Sequence, residues 1–492
     1  MTHGLFNKIV AEMAESKEEL VVGLLGINKL ANWNSKLCGW INDGANEKGR
    51  DTFYNQALNT FYNGLSRTIS TLDTTWFFNI NNEEIDSNSS VILSDARSIS
   101  QNCDLWITDP PYADAVNYHE LSEFFLAWDK ELLRRAFPEW YSDSKRILAV
   151  RGNGGDFNKS MVEIYRNLAD NMSENGIQVI MFTHQDPAVW AELRRILIGA
   201  GLTVTAAWNI ATETESAGLK EGNYVKGPVI LVLRKNVSTL NAFSDTIIFE
   251  IQEEVKRQID SMKNLEDKED PNFNDADYVL ASYAAAMKVL TSYRRIGGVD
   301  VEEEAGKTQF NGRIDPVEEL INNAIRTAYD YLIPKSFDSF IWKSLSPVER
   351  FFIKGMELEK NNVYQLGAYQ EMARGFGIKE FKNMLASTKA NQVRFKTPAE
   401  LGNKWLRGSD NFGNTLLRQV LMAINQGEKE ENGQAGRAWL KNEVENYWDK
   451  RQIILELLRY LTTTEHIVHM KHWEDPARYA RYILELVTND GT

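Results

Sequence analysis

Apolar positions change their period along this chain. Leu20, Val21, Leu24, Leu25 and Ile27 begin a stripe at helical spacing, and Phe53, Leu58, Phe61, Tyr62 and Leu65 continue one, so residues 1–70 read as helical. Asn79–Ser90, rich in Asn and Ser, breaks the pattern as a loop or linker. From about residue 90, short β-rich runs take over: Val91–Leu93, Leu105–Ile107, Ile147–Val150, Val179–Phe182, Val204–Trp208 and Val229–Leu233. Helical stretches Glu120–Arg135, Lys159–Met172 and Ala188–Ile198 separate them, the alternation of an α/β unit with a mainly parallel sheet. No helix separates the last two runs, which predicts an antiparallel pair at one edge. Beyond Asn236 the strands stop. Residues 246–300 read as helical with a charged break at Lys263–Asp270, and an acidic run, Asp300–Glu304, precedes a long helical region. There Ile454, Leu457, Leu458 and Leu461 hold i, i+3, i+4, i+7 spacing. The pattern divides the chain into a helical N-terminal region (1–78), an α/β region (79–236), a helical connector (237–300) and a helical C-terminal domain (301–492).

A chain of 492 residues suits two to four domains. Its 25% charged and 43% hydrophobic content is that of a globular protein. No run of about 18 apolar residues exists, so no membrane-spanning helix is expected. Residues 1–30 lack a basic-then-apolar layout, which argues for the cytoplasm. Cys38 and Cys103 are the only cysteines; they exclude a disulfide framework and a cysteine-rich zinc ribbon, and suit a reducing compartment. With 55 basic against 69 acidic residues the net charge is −14. A whole-surface nucleic-acid binder would be basic, so any DNA contact comes from a local patch or a partner chain.

One tetrapeptide changes the picture: Asp109-Pro110-Pro111-Tyr112, directly after the apolar run Asp104–Thr108. Ligands of open α/β sheets bind outside the carboxyl ends of strands, where this motif falls. Two consecutive prolines fix φ and hold the preceding residues extended, so a backbone carbonyl can be aimed rigidly. Asp109 adds a carboxylate acceptor and Tyr112 a flat face with a polar rim. These parts suit methyl transfer onto the exocyclic amino group of a base. That nitrogen is a poor nucleophile because its lone pair is delocalised into the ring. The Asp109 carboxylate and the Pro110 carbonyl can accept its two hydrogens, localise the lone pair and stabilise the charge that develops. A base must leave the duplex to reach such a site, where Tyr112 can hold it by stacking. The competing account is a proline turn at a strand end.

Asp109–Tyr112 resembles the catalytic signature of S-adenosylmethionine-dependent amino methyltransferases acting on DNA. The longer stretch from Thr108 through Ala113-Asp114-Ala115-Val116-Asn117-Tyr118-His119-Glu120-Leu121-Ser122-Glu123-Phe124-Phe125 is similar to the large adenine-specific DNA methylases of prokaryotic anti-phage gene clusters. Met181–Asp186, Thr212–Ser216 and Tyr447-Trp448 through Leu461 fit the same family, so the resemblance covers nearly the whole chain. It implies a Rossmann-like methyltransferase sheet with helical N- and C-terminal regions, S-adenosylmethionine as cofactor, double-stranded DNA as substrate and N6-methyladenine as product. The motif alone leaves N4-cytosine open.

The departure from the family is a missing Phe-x-Gly-x-Gly cofactor loop. Gly23-Leu24-Leu25-Gly26 lies in a helical pattern. Gly152-Asn153-Gly154-Gly155-Asp156-Phe157 follows a strand and precedes a helix, but relatives keep a similar loop here beside a separate cofactor loop. It reads as a cofactor loop or as an active-site loop near the target base, with Asn153 a pocket residue. By resemblance Asp95, in Ile92-Leu93-Ser94-Asp95-Ala96, ends the strand before the catalytic one and contacts the cofactor's adenine with Ala96; a helix N-cap is the alternative. The family's strand order, 3-2-1-4-5-7-6, makes those strands the third and fourth. Residues 1–90 offer no candidate for the first two. The expected sheet is therefore incomplete in this chain, and a second polypeptide is expected to supply the glycine-loop half.

His184 and Trp208 end strands near the expected pocket and are further substrate-pocket candidates; His119 reads as a helix start or a substrate contact. His466, His469 and His472, spaced by three, do not share a helix face easily enough for one metal. Arg194-Arg195 and Lys145-Arg146 are phosphate contacts or solvated helix faces. Most of the thirteen tryptophans sit in helical stripes and belong to the core. Three functions fit: the catalytic half of a DNA adenine methyltransferase, a non-catalytic DNA-binding or scaffold subunit of a defence complex, and a methylase of RNA or a protein amide.

Overall fold

The computed structural model describes residues 2–35, 38, 40–43, 46–49, 51–53, 89–110, 118–139, 141, 150, 155–184, 186–210, 228–238, 240–265, 273, 275–296, 299–300, 316–334, 337–389, 392–402 and 412–490. They form two compact units, one of residues 1–101 with 111–168 and one of 102–110 with 169–492. The chain is mixed α/β and mostly helical, with a small mixed sheet.

In the first unit, α1 (Thr2–Met13) and α2 (Lys17–Asn34) pack with α3 (Tyr118–Ala136) around Val10, Leu20, Leu24, Ile27, Leu132 and Ala136. Ser16 caps α2, its hydroxyl accepting from the Glu19 N–H at 3.1 Å. A Cβ on Gly23 would lie 2.4 Å from Val10 Cγ1, so the α1–α2 approach depends on this glycine. The helical reading of residues 1–70 fails at β1 (Trp40–Asp43) and β2 (Asn46–Gly49), an antiparallel hairpin in register from Trp40↔Gly49 to Asp43↔Asn46. The signal for it is in the sequence: Gly44 leads the two residues between Asp43 and Asn46, as a hairpin loop requires. Residues 54–65 of the continued stripe, and most of the Asn79–Ser90 linker, lie outside the described residues.

The Val91–Leu93 run, expected as a strand, pairs with nothing among the described residues, and its side chains are exposed by 72, 59 and 42%. β-branched content makes a run compatible with a strand, but only a neighbouring strand makes it one. The Ile147–Val150 run falls outside the described residues except for Val150. Helix α4 (Gly155–Asp170) closes this unit, with its last two residues in the second.

The second unit holds a four-stranded sheet of β3 (Cys103–Thr108), β4 (Met172–Phe182), β5 (Leu202–Asn209) and β6 (Val229–Lys235), in the order β3-β4-β6-β5. β3 runs parallel to β4, and β6 is antiparallel to both β4 and β5. The expected antiparallel pair at one edge is thus present, as β5–β6. In β5 the register shifts between Val204 and Ala206, so Ala206 opposes Val232 and Thr205 is the extra residue of a bulge. Helix α5 (Pro187–Gly199) joins β4 to β5 and is capped by Asp186, whose carboxylate accepts from Ala188 N–H at 3.0 Å.

Strands do not stop at Asn236: β7 (Asn241–Ala242), β8 (Arg295–Ile296) and β9 (Val299–Asp300) form a small sheet around the helices α6 (Ser244–Leu265) and α7 (Asp275–Thr291). α7 packs on β5, where the Thr291 hydroxyl accepts from Val204 N–H at 2.8 Å. α8 (Pro316–Tyr331), α9 (Ser339–Ser344), α10 (Pro347–Lys360) and α11 (Leu366–Gly375) follow, then β10 (Leu385–Ser387), β11 (Arg394–Phe395) and α12 (Pro398–Leu401). The chain ends in α13 (Leu416–Lys429), α14 (Gly433–Glu443), α15 (Tyr447–Thr462) and α16 (Glu474–Thr488). The stripe Ile454, Leu457, Leu458 and Leu461 is buried on α15, as its spacing requires. No described helix is long and apolar enough to cross a membrane.

Candidate functional site

The signature begins where the spacing placed it. Thr108, the last residue of β3, pairs with Ile180, and its hydroxyl donates to the Val179 carbonyl at 3.3 Å. Asp109 and Pro110 follow at the carboxyl end of this parallel strand, Asp109 exposed and Pro110 half-buried. Pro111 and Tyr112 lie outside the described residues, as do Asn153 and the Thr212–Ser216 stretch. Gly155 and Asp156 of the glycine-rich loop begin α4, and Phe157 is buried.

His184 lies two residues past β4, beside the end of β3, so the sheet brings it to the same edge as Asp109 and Pro110. Its Nδ1 accepts from Asp186 N–H at 2.9 Å and its carbonyl accepts from Trp190 Nε1 at 2.8 Å. An accepting Nδ1 puts the proton of the neutral ring on Nε2. Trp208 also reaches this edge, because β5 runs in the same direction as β3 and β4. It pairs with Ile230, which pairs with Met181, so these three share one sheet face, and Trp208 is 55% exposed. Strand order leaves β4 and β6 between Trp208 and Asp109, roughly 14 Å at about 4.8 Å per strand. His119 is the half-buried second residue of α3.

Asp95 does not end a strand. It caps the 3₁₀ turn Ala96–Ser98, its Oδ1 accepting from Arg97 N–H at 2.9 Å, so the N-cap geometry is the one adopted. Its carboxylate also accepts from Arg97 Nε at 3.0 Å and Nη2 at 2.6 Å. The hydrogen-bonded Arg97 guanidinium holds this carboxyl below the usual aspartate range, against a smaller opposing effect of burial. The Ala96 carbonyl accepts from Asn167 Nδ2 at 3.1 Å.

Those bonds also answer whether these residues fit S-adenosylmethionine. A carboxylate that binds a ribose or an adenine needs a lone pair aimed outward, and Arg97 takes both oxygens of Asp95. No strand followed by a glycine loop and a helix occurs among the described residues apart from the partly described Gly152–Phe157 segment. By themselves the described residues do not make a cradle for the cofactor.

Other expectations resolve locally. His469 Nε2 lies 2.9 Å from the Glu359 carbonyl and 3.0 Å from that of Lys360, at the end of α10. His472 Nε2 lies 3.2 Å from Glu359 Oε2. Burial pushes the Glu359 carboxyl up, against the lowering effect of His472. Among the described residues no group of His, Cys, Asp or Glu has metal-holding geometry. Arg194 is neither a solvated face nor a phosphate contact: it is fully buried and donates from Nε to the Leu290 carbonyl at 3.3 Å. Lys145 and Arg146 lie outside the described residues. Trp190, Trp342 and Trp473 are core.

The sequence pattern gave no hint of Asp129, a buried acid on α3. Burial raises its carboxyl to about 6, opposed by a hydrogen bond from Asn28. No family model, curated protein or solved structure matches this chain.

Proposed function

We propose that this chain is the catalytic half of a DNA adenine methyltransferase, which moves a methyl group from S-adenosylmethionine to the exocyclic amino group of a flipped adenine. The observation that carries this reading is Asp109-Pro110 at the carboxyl end of a parallel strand, with Pro111-Tyr112 next in the sequence. There the Asp109 carboxylate and the Pro110 carbonyl each accept one amino hydrogen. The nitrogen lone pair is thereby localised, and the positive charge that grows on nitrogen is stabilised by groups already in place. Tyr112 stacks on the extruded base. The resemblance to methylases of anti-phage gene clusters places the activity in a phage-defence or restriction-modification-like system in the cytoplasm.

A second reading has support from Asp95. Because Arg97 occupies its carboxylate, the chain also suits a non-catalytic, DNA-binding or scaffold subunit of such a complex. Expression in methylation-deficient cells separates the two. The chain is produced alone and with the polypeptide of the adjacent reading frame, and DNA nucleosides are read by mass spectrometry. N6-methyladenine that depends on this chain supports the catalytic reading; N4-methylcytosine reassigns the target base. No methylated base under either condition, with both polypeptides folded, leaves the scaffold reading.

A further inference from the structure

We propose that the open edge of β3 docks a parallel β-strand of a second, basic polypeptide, whose strand-to-helix loop completes the site at Asp109. The loop's role rests on the methyl-transfer reading; the strand's docking does not.

β3 pairs only with β4 among the described residues and lies at the end of the sheet order. Its sequence is that of an interior strand. Parallel strands are normally covered on both sides, and edges left to water carry lysine, proline or a bulge. β3 instead presents Leu105 and Ile107 on one face, 52 and 64% exposed, and its one charged residue is Asp104, second in the strand. The open edge is a row of backbone N–H and C=O groups, and only another extended chain satisfies such a row.

The direction of that chain follows from Asp109. Ligands of open α/β sheets sit in a crevice between neighbouring strands, outside their carboxyl ends. β4 supplies one wall beside Asp109, and the open edge is where the other belongs. A strand parallel to β3 puts its carboxyl end, and the loop after it, next to Asp109. The same loop is what the described residues lack for S-adenosylmethionine.

A second copy of this chain does not meet these conditions. Two copies of β3 paired about a two-fold axis run antiparallel, which carries the two Asp109 residues to opposite ends and builds no crevice. Each copy also bears a net charge of −14, so like chains repel and a basic polypeptide is attracted. A basic partner would further supply the phosphate contacts that an acidic chain lacks.

Photo-cross-linking in the cells that naturally make the protein tests this. p-Benzoylphenylalanine replaces Ile107, or Trp448 as an exposed control, and cross-linked peptides are sequenced. The expected product joins residue 107, and not residue 448, to a different, basic polypeptide, within a strand followed by a glycine-rich loop. A cross-link within the same chain, to a second copy, or none at all would overturn the proposal. Ile107→Lys should weaken co-purification of the cross-linked partner about tenfold or more, the effect of roughly 1.4 kcal/mol, with unchanged circular dichroism. Unweakened binding would also overturn it. The two readings fail separately: a cross-linked partner without any methylated base sinks the methyl-transfer reading alone, and methylation by the isolated chain sinks the docking proposal alone.

Discussion

Trp106 and Gln178 lie side by side in register on β3 and β4, and neither the indole N–H of the one nor the side-chain amide of the other has a hydrogen-bond partner among the described residues. Gln178 is fully buried. An amide in that position loses its hydration and gains nothing in return.

Replacing that amide by an apolar group of similar length should therefore stabilise the protein. Gln178→Met is expected to raise stability by about 1–3 kcal/mol, the cost of an unsatisfied buried polar group. Urea unfolding followed by tryptophan fluorescence measures it. A lower unfolding midpoint would show that the amide has a partner in solution.

Asp109→Ala and Tyr112→Ala should each reduce methylation by about 100-fold or more in the assembled enzyme, the scale of losing one transition-state acceptor. DNA binding should fall little for Asp109→Ala, because its interaction strengthens as charge develops on the amino nitrogen. Filter binding and single-turnover methylation separate the effects. A large binding loss with normal turnover would contradict the assigned role of Asp109.

The site was legible where local chemistry determines structure. An apolar run stopped by Asp109-Pro110-Pro111 must end a strand there, and the absence of a helix between Val204–Trp208 and Val229–Leu233 left antiparallel pairing as the simple solution. Legibility failed where a neighbour decides. Val91–Leu93 has strand composition but no strand beside it. The two helical stripes on either side hid the Trp40–Gly49 hairpin, although Gly44 marked it. Arg194 looked solvated because its burial depends on α7, almost a hundred residues later, whose Leu290 carbonyl it contacts.

The C-terminal helices are tied together by one carboxylate. Asp490 Oδ1 accepts from Arg437 Nε at 2.7 Å and Lys441 Nζ at 2.8 Å, and Oδ2 accepts from the Tyr447 hydroxyl at 2.5 Å. Burial alone would raise this carboxyl, but the three donors together hold it well below its ordinary value. Asp490→Asn should cost about 1–3 kcal/mol at pH 7, as for lost hydrogen bonds to a charged group. A depressed folded-state value means that this stability is present above the unfolded value of 3.8 and is lost as pH falls below it. The difference between mutant and wild type should shrink between pH 5 and about 3 in urea titrations. A constant difference would mean that the charge contributes nothing.

Asp129 predicts the opposite pH dependence. It sits on α3, 8% exposed, and burial raises its carboxyl from 3.8 to about 6 against a hydrogen bond from Asn28. The folded state therefore holds a proton more tightly than the unfolded chain does. By linkage, stability falls as pH rises from about 4 to about 6, and the full cost, on the order of 3 kcal/mol, is carried above that range. Asp129→Asn removes the charge and keeps an oxygen that can accept from Asn28. The variant should match wild type near pH 4, where both side chains are neutral, and be the more stable of the two at pH 8. Its melting temperature should also change less across that interval. Differential scanning calorimetry at pH 4, 6 and 8 gives the comparison. If the two proteins kept parallel pH profiles, Asp129 would titrate near its ordinary value, and the α2–α3 packing around it would have to admit water in solution.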